Sequence, residues 1–332
     1  MSYDITEMLS YCRPASSKTE KKFINRYIRP LGVEADGYGN LYKRIGDVPI
    51  MWSCHTDTVH KRPGKQLVIE NDGMVSLNKF PSTNCLGADD TAGVWIMSEM
   101  IKEGKPGLYV FHREEENGPG KGSSFIADHN AGALKGIKAA IAFDRKGKTD
   151  VITHQLKRTC SDEFAQSLAK SIGIGLTPNE NGVFTDTANY TDLIGECTNI
   201  SVGYENAHTN TETLDTKYLT LLRDRVMHIE IEDLKLSRQP GDTDPFDYLW
   251  DGSAYGSAYG YGSYVGQSHN YPKNGYLRHG REQDIEEEFS LSSIYAICEN
   301  YPNEVADWLE QQGVDHKEIA DYIKRIRGRA KF

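Results

Sequence analysis

The sequence has few cysteines, and they are scattered along the chain. Its 332 residues include six cysteines, which form no CxxC pair and no dense framework. This spacing excludes a disulfide-stapled secreted scaffold and favours a reducing compartment with free thiols.

The sequence also lacks an excess of positive charge and a long apolar run. Lys and Arg number 38 against 48 Asp and Glu, so the formal net charge is −10, which disfavours a general nucleic-acid binder. The N-terminal stretch MSYDITEMLSYCRP has no basic patch followed by an apolar core, and no apolar run reaches membrane-spanning length. We therefore expect a cytoplasmic protein with neither a nucleic-acid nor a membrane partner.

What the sequence does contain is an alternation of strand and helix patterns. VPIMWSC, GLYVFHREEE and IKAAIAFDRKG each begin with an apolar run typical of a buried strand, and TAGVWIMSEMIKEG predicts a helix that ends at Gly104. The pattern predicts an α/β fold with a mixed, mostly parallel central sheet flanked by helices. Ligands of such sheets bind beyond the carboxyl ends of the strands.

The composition divides the chain into three regions. The strands and helices lie in residues 1–236, where Ser17 and Glu20 have capping-box spacing before a helix that stops at Pro30, and a last helix is expected from about Thr216 to Leu236. Residues 237–281 are rich in Gly, Tyr and Ser and predict a flexible linker. Amphipathic patterns in residues 282–332 predict a small helical C-terminal region.

Five places at predicted strand ends or helix starts carry residue types that bind metals. They are His55 with Asp57, Asp89 with Asp90, Glu115 with Glu116, Asp144, and His208. Each alone is a weak signal, because a solvated strand end or the charged first turn of a helix explains it equally simply.

Their order and context resemble those of the co-catalytic zinc exopeptidases. This superfamily includes tripeptidase T, glutamate carboxypeptidase, deacylases of N-acyl amino acids, and the leucyl and glutamyl aminopeptidases. The resemblance runs from about residue 18 to 232 and rests on DGYGNL, SCHTDTV, LGADDTAGV, REEENGPGKGS, AFDR and YENAHTNTETLD, which occur in that order. It implies the phosphorylase/hydrolase-like fold of zinc exopeptidases and makes residues 1–236 the catalytic domain.

The resemblance also implies a set of metal ligands for two zinc ions, with Co or Mn as possible replacements. Asp89 would bridge the two ions; one would take His55 and Asp144, and the other Glu116 and His208. Imidazole and carboxylate groups suit zinc, and two-metal hydrolytic sites hold their ions roughly 3.5–4 Å apart, which one carboxylate can span.

By the same resemblance, Glu115 is the general base and acid that serves a bridging hydroxide. Neighbouring residues at a strand end point in different directions, so Glu116 can bind metal while Glu115 faces substrate. The triplet Glu114-Glu115-Glu116 leaves the register open by one residue. Asp57 fits a catalytic supporting role, in which it accepts the second ring N–H of His55 and fixes its orientation.

Three further acidic residues are weaker candidates. Asp186 either supports the site or caps a helix; Asp90 and Glu212 are either neighbours of the pocket or, respectively, a helix-start and a surface residue. His60, His112, His129 and His154 have no matching context and are expected to be ordinary histidines.

The spacing of the ligands selects a branch of the superfamily. Asp144 and His208 are 64 positions apart, which is too short for the lid and dimerisation domain that many carboxypeptidase-like and deacylase members insert there. The likeness is therefore to single-domain aminopeptidases, although YENAHTNTE is similar to tripeptidase T.

The sequence thus predicts a metal-dependent exopeptidase, specifically an aminopeptidase that removes N-terminal residues from peptides. An N-acyl amino acid deacylase or amidohydrolase on the same site is one alternative, because the ligands do not identify the groups that flank the bond. A non-catalytic binding or structural protein that retains the fold is another. A homo-oligomer, and a protein partner for the Tyr/Gly-rich tail, remain open.

Overall fold

A computed structural model of the protein describes residues 2–78 and 85–243. Most of the predicted linker and the whole predicted C-terminal helical region lie outside these residues. None of the helices that it describes is long and apolar enough to cross a membrane.

The described residues alternate between strands and helices, as the sequence predicts. The strands, in chain order, are β1 (Tyr11–Cys12), β2 (Glu34–Ala35), β3 (Leu41–Ile45), β4 (Ile50–His55), β5 (Gly64–Lys65), β6 (Val68–Asn71), β7 (Met74–Leu77), β8 (Gly107–His112), β9 (Ala139–Arg145), β10 (Asp150–Ile152), β11 (His154–Gln155), β12 (Lys157–Arg158), β13 (Thr177–Asn179), β14 (Glu196–Ser201), β15 (Tyr204–Glu205) and β16 (Thr213–Asp215). The α-helices are α1 (Ile5–Leu9), α2 (Lys18–Phe23), α3 (Ala88–Lys102), α4 (Lys121–His129), α5 (Asp162–Ile172) and α6 (Thr216–Met227).

The central sheet confirms the predicted mixed, mostly parallel arrangement. Its strand order is β13-β10-β14-β9-β4-β8-β3-β2. The four middle strands, β14, β9, β4 and β8, run parallel to one another, and β3 and β2 add an antiparallel edge. The carboxyl ends of the four middle strands therefore meet at one edge of the sheet.

The alternation of side chains along these strands builds a core on each face of the sheet. Trp52 and Phe143 stack with ring centroids 5.8 Å apart in the larger core, which includes buried residues of α3, α5 and α6. Met51, one position before Trp52, and Ala140, three positions before Phe143, face the other way and join the smaller core that includes Ile126 of α4. Both cores are apolar to within a few residues of the strand ends, so the polar side chains there lie on a rigid support.

No inserted domain lies between Asp144 and His208 within the described residues. Strands β10, β13 and β14 from this interval belong to the central sheet itself. The short interval between Asp144 and His208 is thus used by three strands of the central sheet, the small sheet of β11 and β12, and helix α5.

The last helix ends earlier than the sequence predicts. The expected helix reached Leu236, but α6 ends at Met227. The Lys105 ammonium donates to the carbonyl oxygens of Met227 and Ile229 at 3.1 and 2.6 Å. These carbonyls thereby find a partner from a distant segment, a contact that the local sequence pattern does not show.

Five of the six cysteines lie in the described residues, and all five are buried free thiols: Cys12, Cys54, Cys85, Cys160 and Cys197. This agrees with the free thiols expected from their spacing.

Candidate metal centre

The carboxyl ends of the middle strands bring together the five places that the sequence predicts to carry metal-binding residues. His55 is the last residue of β4, and it pairs with His112, the last residue of β8. Asp144 lies near the end of β9, beside β4, where Ser53 pairs with Ala142. Asp89 is the second residue of α3, and His208 lies in the loop between β15 and β16.

Asp89 lies between the two histidines. Its Oδ1 is 3.1 Å from Nε2 of His55, and its Oδ2 is 3.1 Å from Nε2 of His208. Each carboxylate oxygen therefore faces a different imidazole, which is the arrangement that a bridging carboxylate requires.

A further carboxylate flanks each histidine. Asp144 Oδ1 is 3.6 Å from His55 Nε2, and Glu116 Oε1 is 3.0 Å from His208 Nε2. Two overlapping groups form, one of His55, Asp89 and Asp144 and the other of His208, Asp89 and Glu116. Ligand atoms of His55, Asp89 and Glu116 also lie within 4.8 Å of one another, so the two groups form one cluster.

Asp90 lies close enough to His55 and Asp144 to join a metal-ligand group. Its oxygens, however, already accept backbone N–H groups: Oδ2 from His55 at 3.1 Å and Oδ1 from Gly93 at 3.0 Å. Burial raises its pKa well above the ordinary value. Asp90 thus joins the end of β4 to the start of α3, and the peptide bond between it and Asp89 is cis.

The electrostatics of the cluster fit a bound cation. Burial raises the pKa of Glu116 to about 7, and it also raises the pKa of Asp144 above its ordinary value. Burial works against protonation of His208, but its contacts with Asp89 and Glu116 outweigh that effect and raise its pKa to about 11. Contacts with Asp144, Asp57 and Asp89 likewise raise the pKa of His55 well above its ordinary value, so both histidines of the cluster are drawn toward the charged form by carboxylates that need positive charge.

An orphaned atom points the same way. Glu116 Oε1 is buried and has no hydrogen-bond partner within the described part of the chain, although His208 Nε2 lies 3.0 Å away. Two imidazoles and three carboxylates form a donor set that suits zinc. The residues present therefore fit the two zinc ions that the resemblance implies.

Asp57 contacts both halves of the cluster. It is fully buried, and its Oδ1 lies 3.5 Å from Nδ1 of His55. Its two oxygens also accept the backbone N–H groups of Glu115 and Glu116 at 3.1 and 3.2 Å. Burial opposes ionisation of Asp57, but its contact with His55 outweighs burial and lowers its pKa. Asp57 therefore lies beside the histidine and holds, through its two hydrogen bonds, the segment that carries the two glutamates.

The three consecutive glutamates have different surroundings. Glu114 accepts hydrogen bonds from Ser16 Oγ and, at 3.0 Å, from Tyr38 Oη, so its carboxylate is directed away from the histidines. Burial raises the pKa of Glu115 well above the ordinary value, and the negative charges of Asp144 and Glu116 add to this effect. Glu115 is thus close to the cluster without making a contact that would fix it as a ligand.

Glu212 supports the cluster in a way that the sequence signals only in part. It is 1% exposed and accepts four backbone N–H groups, from Leu86, Gly87, Ala88 and Asp89, at 2.8–3.1 Å. The sequence allows it to be either a neighbour of the pocket or a surface residue. It ties the loop of His208 to the loop that presents Asp89, so the alternative of a surface residue is wrong.

Two more residues, Thr185 and Asp186, support the surroundings of the cluster. Thr185 Oγ1 donates to Asp144 Oδ2 at 2.6 Å, and no motif in the sequence identifies it. Asp186 is 1% exposed; it accepts from Ser123 Oγ at 2.6 Å and lies 3.2 Å from Nδ1 of His112. Burial raises the pKa of Asp186 to about 8. It begins a short 3₁₀ helix, Asp186–Tyr190, but its side chain packs inward and does not cap that helix.

His60 and His112 are buried and hydrogen bonded within the fold. His60 contacts Thr58 and Gln66, and His112 contacts Tyr190 Oη at 2.7 Å. Both are structural, as expected for histidines without a matching motif.

Several solved peptidase structures are similar to this chain. Aminopeptidase PepT from Bacillus cereus is 17% identical, with a TM-score of 0.54 over 69% of this chain and 96% of that one. A tripeptidase from Staphylococcus aureus is 16% identical, with a TM-score of 0.57 over the same shares of the two chains. The chain has the fold of known peptidases.

A third similar structure is an assembling enzyme. The TET1 peptidase of Pyrococcus horikoshii, described as able to assemble into a tetrahedron or a large octahedral shell, is 17% identical, with a TM-score of 0.50 over 70% of this chain and all of that one. No protein-family model and no curated protein matches the sequence. Because fewer than one residue in five is identical, what these chains share is the fold.

Proposed function

We propose that the protein is a metal-dependent exopeptidase, and specifically an aminopeptidase with two zinc ions. One observation carries the proposal: the two oxygens of Asp89 each lie 3.1 Å from the Nε2 atom of a different histidine. The flanking carboxylates, Asp144 and Glu116, complete two ligand groups that share Asp89.

The residues divide between the two ions as follows. His55 and Asp144 would hold one ion, His208 and Glu116 would hold the other, and Asp89 would serve both. When bound, the ions lower the pKa of a water molecule and polarise the carbonyl group of the substrate. Asp57 and Glu212 position this set through their hydrogen bonds to backbone N–H groups.

Glu115 handles the proton. It accepts a proton from the attacking water and passes it to the amine that leaves. Its raised pKa, caused by burial and by neighbouring negative charges, favours holding that proton between the two transfers. Asp57 keeps Glu115 in place by accepting its backbone N–H.

Similarity in fold to an aminopeptidase and a tripeptidase supports peptides, rather than N-acyl amino acids, as the substrates. The test is a library of peptides with free amino termini, assayed in parallel with the same peptides acetylated and with N-acyl amino acids. Release of the N-terminal residue from the free peptides is expected. Hydrolysis of the N-acyl amino acids alone would establish the deacylase, and no hydrolysis by zinc-loaded protein would leave a binding role.

Metal content is measured on the same preparation. Mass spectrometry is expected to find two zinc ions per chain, and a chelator should abolish hydrolysis until zinc, cobalt or manganese is returned. A fully active protein with less than one metal ion per chain would contradict the two-zinc site.

We also propose that the chain forms a homo-oligomer. The similarity in fold to TET1 peptidase, which assembles into large shells, supports this proposal. Light scattering of the purified full chain tests it, and a mass of one chain at all concentrations would reject it.

A further inference from the structure

The carboxylate of Glu20 does not complete the capping box that the sequence predicts. Ser17 Oγ accepts the backbone N–H of Glu20 at 3.1 Å, as one half of a capping box does. The other half would have Glu20 reach back to the N–H of Ser17. Instead, the fully buried carboxylate of Glu20 accepts the N–H of Ser16 at 2.7 Å. Its other hydrogen bonds come from segments that are distant in the chain.

Those distant partners belong to the two segments that build the metal cluster. Thr56, which lies between His55 and Asp57, donates its hydroxyl to Glu20 Oε1 at 2.6 Å. Arg113 approaches with two donors at once: Nε lies 2.8 Å from Oε1, and Nη2 lies 2.9 Å from Oε2. Arg113 begins the segment that continues into Glu115 and Glu116.

Arg113 is also held through its backbone. Its N–H donates to Asn40 Oδ1 at 3.0 Å, and Asn40 in turn donates to the carbonyl of Gly122, at the start of α4. The side chain of Glu20 is 0% exposed and that of Arg113 is 20% exposed. A bidentate pair of this kind, with its carboxylate buried, fixes both distance and orientation, which a single surface contact does not.

The segment after Arg113 needs such an anchor. It carries the carboxylates of Glu115 and Glu116, which lie near Asp144 and Asp89, and like charges at short range push the segment outward. Glu114 has φ of 57°, a left-handed conformation that costs free energy for a residue with a side chain. Contacts on both sides must offset these costs, and Asp57 supplies the contact beyond Glu114.

We propose that Glu20 and Arg113 form a positioning clamp, which holds the segment of Glu115 and Glu116 against the strand end that carries His55 and Asp57. The clamp rests on the proposed function. Neither residue contacts the side-chain atoms with which the candidate ligands would bind metal. Both therefore act through Thr56 and the backbone of residues 113–116.

The first test compares Glu20→Gln with a matched control on the surface. The control is Glu7→Gln, which breaks the exposed pair between Glu7 and Arg26, whose atoms are 2.6 Å apart. Glu20→Gln is expected to lower kcat on a free peptide about 10- to 100-fold and to change KM less than about threefold, because a small misplacement of a proton carrier costs rate more than binding. Glu7→Gln should match the unchanged protein.

The second test needs no activity. Hydrogen exchange is measured on chelator-treated protein, where the clamp predicts that amides of residues 113–117 exchange at least about tenfold faster in Glu20→Gln than in the unchanged chain. Amides of β9 should exchange at the same rate in both. Equal rates at residues 113–117, or an equal increase throughout the sheet, would reject the clamp.

A double variant separates positioning from stability. Glu20→Gln leaves Arg113 charged and unpaired, whereas Glu20→Gln with Arg113→Gln removes both charges and should recover much of the lost thermal stability. The clamp predicts that kcat stays low in the double variant. Recovery of kcat together with the melting temperature would show that the pair only stabilises the fold. If the unchanged chain hydrolyses no peptide, the proposed function fails, and hydrogen exchange still decides whether the clamp exists.

Discussion

At the residue scale, the three glutamates after β8 show how neighbours acquire different chemistry. Glu116 is 3.0 Å from His208, Glu114 is bound by Ser16 and Tyr38, and Glu115 lies between them with its backbone fixed by Asp57. The sequence left the register of the triplet open by one residue. The contacts of Glu114 favour the register in which Glu115 carries the proton.

Replacing Glu115 with Gln should leave the metals bound and nearly abolish hydrolysis. The amide keeps the shape of the side chain but cannot accept a proton, and a general base or acid contributes typically about 10²- to 10⁴-fold to rate. Peptide turnover and zinc content, measured on the same sample, check this.

The matched control is Glu114→Gln, one residue away and of the same kind. It should reduce turnover only slightly, since one hydroxyl can still donate to the amide oxygen while the other accepts from the amide NH₂ group. If Glu114→Gln abolished turnover and Glu115→Gln did not, the register would be shifted by one residue.

His60 gives the fold a dependence on pH that is separate from the metal cluster. Burial, with the positive charge of Arg13 adding to it, lowers the pKa of His60 from 6.5 to about 4. Since the unfolded chain binds the proton first as the pH falls, the contribution of His60 to stability is complete above pH 6.5 and is lost between pH 6.5 and 4.

Urea unfolding between pH 4.5 and 7 should therefore show a slope that His60→Gln reduces by up to about 1 kcal/mol per pH unit. The matched control is His129→Gln, which makes the same substitution at an exposed histidine. Equal slopes for the unchanged chain and His60→Gln would mean that His60 is already solvated in the folded state.

At the element scale, α3 approaches β9 closely at Gly93. A Cβ atom there would lie 2.6 Å from the carbonyl oxygen of Phe143 and 2.8 Å from both carboxylate oxygens of Asp90. The helix carries Asp89 at its start, so this close packing fixes Asp89 relative to Asp144 on β9.

For Gly93→Ala, local helix propensity and tertiary packing predict opposite changes in the free energy of unfolding. Helix propensity alone would raise stability by about 1 kcal/mol. The backbone clash should instead lower it, by about 1–3 kcal/mol, and should weaken zinc retention as α3 moves away from β9. Gly132→Ala is the control, because a Cβ there meets nothing within 4 Å. Urea unfolding and zinc analysis after dialysis decide between the two; a stabilised Gly93→Ala would refute the tight contact.

The elements that the sequence predicts well are those fixed by local pattern. The apolar runs that become β4, β8 and β9 end in polar residues, and parallel strands bring those ends together whatever the details of the loops. The local pattern does not show where α6 ends, because Lys105, far away in the chain, donates to the carbonyl oxygens of Met227 and, beyond the helix, of Ile229. The pattern does place Glu20 at a helix start, but the partners of its carboxylate lie 36 and 93 positions away, beyond any local motif.

At the scale of the whole molecule, the described residues contain every candidate ligand and both cores. The described residues after α6 are hydrogen bonded to the rest of this domain. Glu196, which is fully buried, accepts from Ser161 N and Oγ and also from the N–H groups of Ser237 and Arg238, at 2.7–2.9 Å. Gly241 N–H donates to the carbonyl of Thr191 at 2.8 Å. The first residues of the predicted linker are thus bonded to the predicted catalytic domain.

Two shortened chains test where that domain ends. A chain of residues 1–243 keeps the bonds to Glu196 and Thr191, and we expect its zinc content, melting temperature and peptide turnover to match those of the full chain. A chain of residues 1–236, cut at the boundary that composition predicts, loses two donors to a buried carboxylate. Leaving a buried acceptor short of partners costs about 1–3 kcal/mol or more when it is charged, so this chain should unfold at lower urea concentration while its folded fraction still hydrolyses peptides. Equal stability of the two chains would place the boundary at residue 236, and loss of turnover in the 1–243 chain would show that the residues beyond it take part in the reaction.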